Sequence, residues 1–434
     1  MSALIQCLRL YLHGPKGRRA IGYLSRYGDV LRVAFDQDYI NDPSRPVLSL
    51  SYTASDETNT RAILSSVRDS RLVRNDGKWP AFFQNVLPEG PNRERLARHR
   101  GCATENEFEL LAAAGHDLMG GLEVVPVPLA EGVPDVVRLW HRAMGSEGVE
   151  PGFVEDAVED EASLPGVVTK FSAIHDGRRY LVHRQGQAGS FILKLPSTRH
   201  PDLVHNEFTG YRLMRALELD CAHATIISRQ EAELPEEIPF PEILAVQRFD
   251  RGPGGRRIHM EEFAQVLGYE PRHKYGKGIE TDFITMVRVL DRLSETPAHD
   301  IQEFVNRYIA FILMGNTDAH LKNWALIYKD GVTPRLAPLY DPVSVSAFFS
   351  EAPAKDYGLN RAIDTKLHQL GWQDLEGILA KAGILRRSRV IQLAKSRARQ
   401  AQADWPILLR DGPVAMRQEI ERRLKGGLSL TSNL

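Results

Sequence analysis

The chain has 434 residues, more than one globular domain usually holds, so two or three compact units with sizeable cores are expected. Its 43% hydrophobic and 26% charged residues exclude a disordered or fibrous protein. Fifty-five basic residues against 56 acidic ones leave a formal net charge of -1, which excludes a global field steering the molecule to nucleic acid or to anionic membrane.

The N-terminal MSALIQCLRLYLHG is broken by Arg9 and His13 before a signal-peptide core can form. No apolar run reaches the roughly 18 residues of a membrane helix, so no membrane association is expected. Cys7, Cys102 and Cys221 lie far apart without a CxxC pair, which argues against a disulfide framework or a zinc site and fits a reducing, cytoplasmic compartment.

Residues 1 to about 60 alternate and turn often. RRAIGYLSRYGDVLRVAFDQDYI holds strand-like runs around a Tyr-Gly-Asp turn, and PVLSLSY reads as a further strand, so a small sheet is expected. From Asp56 to about Leu122 the period lengthens toward helix: AILSSVR, then NRERLARHR started by Pro88-Glu89-Gly90, then NEFELLAAAG stopping at Gly115. Met144 to Ser163 is acidic and rich in small residues, which reads as a linker or exposed turn near a domain boundary. VVTKFSAI, RRYLVHRQ, SFILKLP and EILAVQRFD follow as strands. Beyond about Met260 the pattern is helical through EEFAQVLG, DFITMVRVLDRL, IQEFVNRYIAFILMGN, DLEGILAKAG and PVAMRQEIERRL. A strand-rich lobe before a helical lobe, with VQRFD at the junction, is the order of a bilobed kinase.

GNTDAHLKNWALIY, Gly315 to Tyr328, carries an Asp, a His, a Lys and an Asn in one short loop after an apolar run. Phosphoryl transfer to a hydroxyl needs a carboxylate to orient the nucleophile and take its proton, with oxygen donors nearby to hold magnesium. Asp318 and Asn323 stand in the D-x-x-x-x-N interval of a kinase catalytic loop, with Lys322 available as a cation. Asp341 in PLYDPVSV supplies a second carboxylate after a strand pair, WALIYK and RLAPLY. Taken singly, Asp318, His320 and Asn323 also read as turn and capping residues.

In SFILKLP, Lys194 lies among apolar neighbours on an expected buried strand, where an unpaired ammonium is costly. Glu207 opens the helical pattern NEFTGYRLMRALEL and offers the anionic partner of a kinase Lys–Glu pair. The plainer reading of Lys194 is a surface lysine whose stem packs on apolar surface.

TDAHLKN, YDPVS, VQRFDR, EEFAQVLG with KYGKG, FFQNVLPEG and AGHDLMGGLEV together resemble the HipA family, bacterial serine/threonine kinases that act as toxins of toxin–antitoxin pairs. The resemblance runs over nearly the whole chain. It implies an α+β, bilobed protein-kinase-like fold with an extra N-terminal α/β subdomain over 1–127, a kinase N-lobe with acidic linker and Gly-rich loop over 128–258, and a mostly helical C-terminal lobe over 259–434. It implies Asp318 as the catalytic Asp, with His320 and Lys322 completing the loop. Asn323 and Asp341 would hold Mg2+, Lys194 with Glu207 would meet the ATP phosphates, and Gln247 to Phe249 would be the hinge whose backbone meets adenine. The phosphate-covering loop would be Ser163-Leu164-Pro165-Gly166-Val167-Val168-Thr169-Lys170, its amides from Gly166 to Thr169 covering phosphate.

One departure stands in that loop. The family's autophosphorylated serine before Gly-Val is Pro165 here, so this self-regulation moves to Ser163 or is lost. The resemblance further implies a helix-turn-helix antitoxin of the HipB type, operator DNA reached only through that antitoxin, and a protein substrate such as an aminoacyl-tRNA synthetase. The basic stretch Arg386 to Arg399 reads as a solvated helix face that could lean on DNA phosphates. Other classes stay open: a small-molecule phosphotransferase with the same Asp/Asn/Asp set, a metal-dependent hydrolase using Asp318, His320 and Asp341, or an antitoxin-bound co-repressor.

Overall fold

The structure is a computed structural model that describes residues 3–143, 148–166, 168–182, 184, 186–196, 200–236, 238–349, 361–432 and 434. The chain divides into two compact units. The first takes the described residues of 1–192 with 249–274 and 327–333, and the second takes those of 193–248, 275–326 and 334–434.

The first unit is built on β1 (Ala3–Gly14), β2 (Gly17–Tyr27), β3 (Val30–Phe35), β4 (Val73–Arg74), β5 (Leu122–Pro126) and β6 (Val149–Gly152). Their order is β4-β3-β2-β1-β5, with β6 added parallel to β1. In β1 the period of two is plain: Leu8, Leu10 and Leu12 are buried, and Arg9 between them pairs with Asp36 at 2.7 Å and lies 4.2 Å from the Tyr23 ring. The expected Tyr-Gly-Asp turn joins β2 to β3, with Gly28 at φ 57°. At Gly22 a Cβ would stand 2.3 Å from the Ala34 carbonyl oxygen, so only glycine lets the two strands pair there.

The expected helices follow. Asp56 caps Glu57–Leu64 by accepting from the Asn59 amide at 2.8 Å, and Gly90–Arg100 starts at Pro88-Glu89-Gly90. Glu107–Ala113 ends just before Gly115, although this glycine serves packing rather than a left-handed stop: a Cβ there would meet the Val124 carbonyl oxygen of β5 at 2.4 Å.

Two sequence expectations are corrected. PVLSLSY is not a strand, because Leu50–Tyr52 forms a 3₁₀ turn; the Leu50 amide donates to Glu261 at 3.0 Å and Ser49 Oγ accepts from the Ser51 amide. The acidic segment is not simply an exposed linker, since Val149–Gly152 is β6 and Glu161 and Ser163 are buried; residues 144–147 lie outside the described residues.

Two buried carboxylates organise this unit. Asp117, in AGHDLMGG, is fully buried and accepts from Arg184 at 2.7 Å, Arg251 at 3.1 Å, the Gly189 amide at 3.1 Å and the Ser172 hydroxyl. Two cations and two further donors compensate its desolvation. Glu261, on the strand His259–Glu262, accepts from Ser49 Oγ at 2.6 Å, from the Leu50 amide and from the Tyr328 hydroxyl. Burial pushes its carboxyl up to about 7, against the pull of those hydrogen bonds. The folded state therefore keeps a proton that the unfolded chain releases above about 4.5, so stability falls as pH rises from there through 7. Glu261→Gln should flatten this fall, on the order of 2–3 kcal/mol, in urea unfolding at pH 5 and pH 8. Equal pH slopes in the two proteins would contradict it.

The second unit holds the antiparallel strands Ala224–Ser228 and Glu242–Gln247 and the helices Leu203–Ala216, Ile279–Leu293, Pro297–Met314, Trp372–Ala382, Arg387–Leu408 and Val414–Arg422. Pro297–Met314 buries Ile301, Phe304, Val305, Ile309 and Ile312, the three-and-four spacing of a core helix. It stops at Gly315, φ 77°, whose amide and that of Asn316 bond back to Ile312 and Phe311. The basic stretch lies on Arg387–Leu408: Val390, Ile391, Ala394 and Ala398 are buried, Arg389 and Arg399 are exposed, Arg387 is half-buried, and Arg397 pairs with Glu218 at 2.7 Å. No helix among the described residues is long and apolar enough to cross a membrane.

Candidate active site

In the second unit Lys194, at the end of the strand Phe191–Lys194, is 5% exposed. Its ammonium donates to Glu207 Oε1 at 2.7 Å and to Asp341 Oδ1. Burial alone would lower its pKa, but the two carboxylates outweigh burial and hold it above the usual lysine value. The Lys–Glu pair expected from the sequence is formed, and the reading of Lys194 as a surface lysine is set aside. Asp341 joins the same cluster with its side chain 33% exposed, so one carboxylate serves both the buried lysine and the open side.

The helix Leu203–Ala216 seats the Asp341 turn with two pairs of residues one helical turn apart. Asn206 exchanges hydrogen bonds with Ser344, 2.8 Å from the Ser344 amide and 3.1 Å to its carbonyl. Glu207 reaches it through Lys194, and the Tyr211 hydroxyl accepts from the Asp341 amide at 3.3 Å. At Gly210 a Cβ would stand 1.9 Å from the Pro342 carbonyl oxygen. Asp341 itself lies at φ 54°, a left-handed conformation that Asp tolerates better than most residues. In an ordinary helix interior Gly→Ala gains about 1 kcal/mol. Gly210→Ala should instead destabilise by about 1–3 kcal/mol, since the neighbour is backbone that cannot give way. Denaturant unfolding checks this, and a variant at least as stable as wild type would refute the close approach.

The Gly315 to Tyr328 loop is held by its own polar groups. Asn323 Nδ2 donates to the Asp318 carbonyl at 2.9 Å, the His320 amide donates to the same carbonyl at 2.7 Å, and Asn316 Oδ1 accepts from the Asp318 amide at 3.2 Å. Asn316 also donates to the Asp341 carbonyl at 3.3 Å, linking this loop to the Asp341 turn. The Asp318 carboxylate accepts from the Tyr275 hydroxyl at 2.6 Å, and the Tyr275 ring meets His320 edge-on at 5.5 Å. Lys322 is buried, and its carbonyl accepts from Tyr340 Oη at 2.8 Å. The turn-residue reading is thus right for the Asn323 amide nitrogen, which holds the Asp318 carbonyl. Among the described residues no group of three His, Cys, Asp or Glu side chains gathers as a metal centre, so Asp318, His320 and Asp341 do not form the hydrolase ligand set.

Gly166, Val168, Thr169, Lys170 and Phe249 belong to the first unit, and Val167 lies outside the described residues. Gly166 sits at φ 103°, and the Lys170 ammonium donates to the Pro165 carbonyl within the loop. Ser163 is fully buried and its hydroxyl donates to the Val86 carbonyl. Gln247, in the second unit, already spends its amide on the His223 carbonyl at 2.7 Å. Sequence reasoning missed Asn206, Gly210, Tyr211, Asn316 and Tyr275. A glycine in mid-helix in NEFTGYRLM and the tyrosine of KYGKG were the signals available.

A buried lysine bridging two carboxylates, beside a loop that ties Asp318 to Asn323, sits in an α+β, protein-kinase-like fold. The chain belongs to the HipA family: the HipA-like C-terminal domain matches residues 162–405 and the HipA N-terminal domain matches residues 15–125. Two Sinorhizobium fredii proteins named as candidate kinases are similar to it. Y4dM is 34% identical, with 88% of each chain covered, and Y4mE is 29% identical, with 86% of each covered. The solved structure of Shewanella oneidensis MR-1 HipA, in complex with HipB and its operator DNA, aligns over 98% of this chain and 97% of that one at 22% identity, with a TM-score of 0.65. At that identity the likeness is one of fold.

Proposed function

We propose that this chain is an ATP- and Mg2+-dependent protein serine/threonine kinase and the toxin of a toxin–antitoxin pair. The observation that carries the reading is the Lys194 ammonium held between Glu207 and Asp341 in the unit that also holds Asp318 and Asn323. In the proposed step the acceptor hydroxyl oxygen bonds to the γ-phosphorus of ATP, the bond to the bridging oxygen of ADP breaks, and Asp318 takes the hydroxyl proton. Lys194 stays on Glu207 and donates to phosphate oxygens, while amides of the Gly166 to Lys170 loop and the backbone of Gln247 to Phe249 are assigned to the nucleotide. The Asp341 carboxylate and the Asn323 amide oxygen are hard donors of the kind magnesium takes, and Mg2+ bound to them would neutralise phosphate charge.

The partner proposed is a helix-turn-helix antitoxin of the HipB type, since the solved HipA of similar fold is held with HipB and its operator DNA. Operator DNA is then met through the antitoxin. The acceptor is a protein hydroxyl, by family resemblance that of an aminoacyl-tRNA synthetase, and the setting is the cytoplasm. Loop autophosphorylation is proposed lost, because Pro165 has no hydroxyl and that of Ser163 is enclosed on Val86.

The test is transfer of labelled γ-phosphate from ATP in magnesium-containing cell lysate, by wild type and by Asp318→Gln, with mass spectrometry of the products. A labelled protein lost in the variant supports the reading and names the acceptor. Label confined to small molecules would replace it with a metabolite phosphotransferase, and no transfer at all would remove the kinase.

A further inference from the structure

The loop Ser163–Lys170 is held by one short segment of the N-terminal HipA domain, and by one side chain above all. Asn92, 3% exposed on the helix Gly90–Arg100, donates from its single amide nitrogen to the Gly166 carbonyl at 3.2 Å and to the Val168 carbonyl at 2.8 Å. Its Oδ1 accepts from the Lys170 amide at 3.1 Å. All the hydrogen-bonding groups of this primary amide face are thereby turned on the loop. Neighbouring residues close the two ends: the Val86 carbonyl accepts from Ser163 Oγ, and Arg95 donates to the Lys170 carbonyl at 3.2 Å. Arg95 also lies 4.6 Å from the Phe171 ring. Nothing in the expected kinase chemistry asks for an asparagine in the N-terminal domain.

The conformation held this way is one a free loop has little reason to keep. Gly166 is in the left-handed region at φ 103°, where a Cβ would also come within 2.8 Å of Lys170 Nζ. The Lys170 ammonium is folded back on Pro165. A single residue that satisfies two carbonyls and one amide removes the gain of any competing local hydrogen bonding.

We propose that Asn92 is the positioning residue of this loop, and that the N-terminal domain sets through it the backbone amides offered to the nucleotide phosphates. The second half of the proposal rests on the nucleotide role assigned to the loop above; the first half does not. The N-terminal domain then has a part in phosphoryl transfer without touching the reacting atoms.

The test compares wild type, Asn92→Ala and Asn92→Asp by hydrogen exchange with mass spectrometry and by calorimetric binding of Mg-ATPγS. Asn92→Asp keeps an acceptor for the Lys170 amide and loses both donors. In Asn92→Ala the Lys170 amide should exchange roughly tenfold faster or more, with β1 amides unchanged, and in Asn92→Asp it should stay protected. Both variants should bind Mg-ATPγS about tenfold more weakly. Exchange at Lys170 unaltered in Asn92→Ala overturns the positioning role. Faster exchange with unchanged Mg-ATPγS binding overturns the link to nucleotide. A wild type that binds no Mg-ATPγS removes the kinase reading, and the exchange result still decides the role of Asn92. A purely structural asparagine would speed exchange across the unit and not in the loop selectively.

Discussion

Asp318→Gln is expected to lower phosphoryl transfer by roughly 10²–10⁴-fold while Mg-nucleotide binding stays within about twofold of wild type. The geometry separates the two functions. The carboxylate of Asp318 accepts from the Tyr275 hydroxyl at 2.6 Å, and Asn323 and His320 donate to its backbone carbonyl. Exchange of the carboxylate for a neutral amide therefore removes the proton acceptor and leaves the bonds from Asn323 and His320 to the backbone carbonyl in place. Lys194, Glu207 and Asp341 are untouched by it. Single-turnover transfer from labelled ATP measures the first quantity and calorimetry the second. A variant that lost binding as fully as transfer would mean that Asp318 holds nucleotide and is not the base.

Lys194→Met is expected to unfold the second unit's site as well as silence it. The ammonium lies at 5% exposure between two carboxylates, and Glu207 is 3% exposed. Without the cation, the buried Glu207 carboxylate loses its counter-charge with Asp341 close by, and breaking such a buried pair costs about 3–5 kcal/mol. Urea unfolding of the variant at neutral pH should show most of that loss. Lower pH should narrow the gap to wild type, since protonating one carboxylate relieves the repulsion that the variant alone carries. The double change Lys194→Met with Glu207→Gln should be more stable than Lys194→Met by itself, the signature of a coupled pair. Stability equal to wild type in the single variant would show the cluster to be solvated and the lysine dispensable to the fold.

Both residues were legible in the sequence because their surroundings were local. Lys194 interrupts an apolar strand, Asp318 and Asn323 share one loop, and each demands a partner of known chemistry within a short span. Helices with strong three-and-four periodicity, such as Pro297–Met314, were legible for the same reason. What escaped was set by residues distant along the chain. The turn at Leu50–Tyr52 exists because Glu261, more than 200 positions away, takes the Leu50 amide that a strand would have used. Val149–Gly152 looked like an acidic linker until β1 offered it a parallel edge. Gly210 is a weak helix residue whose reason is the Pro342 carbonyl, and Asn92 lies 76 positions from the Val168 carbonyl it holds. Hydrogen-bond partners and close backbone approaches of this kind leave no periodic trace.

The contact between Tyr328 and Glu261, with that of the Val47 amide and the Gly331 carbonyl at 2.8 Å, has a consequence for biosynthesis. The first unit draws on residues 327–333, so the part of the chain made first cannot complete its fold until those residues have left the ribosome. Pairings over such sequence distances close slowly. During translation the nascent N-terminal region therefore waits, with Glu261 and Val47 short of their partners, and refolding of the full chain from denaturant should be slow for the same reason.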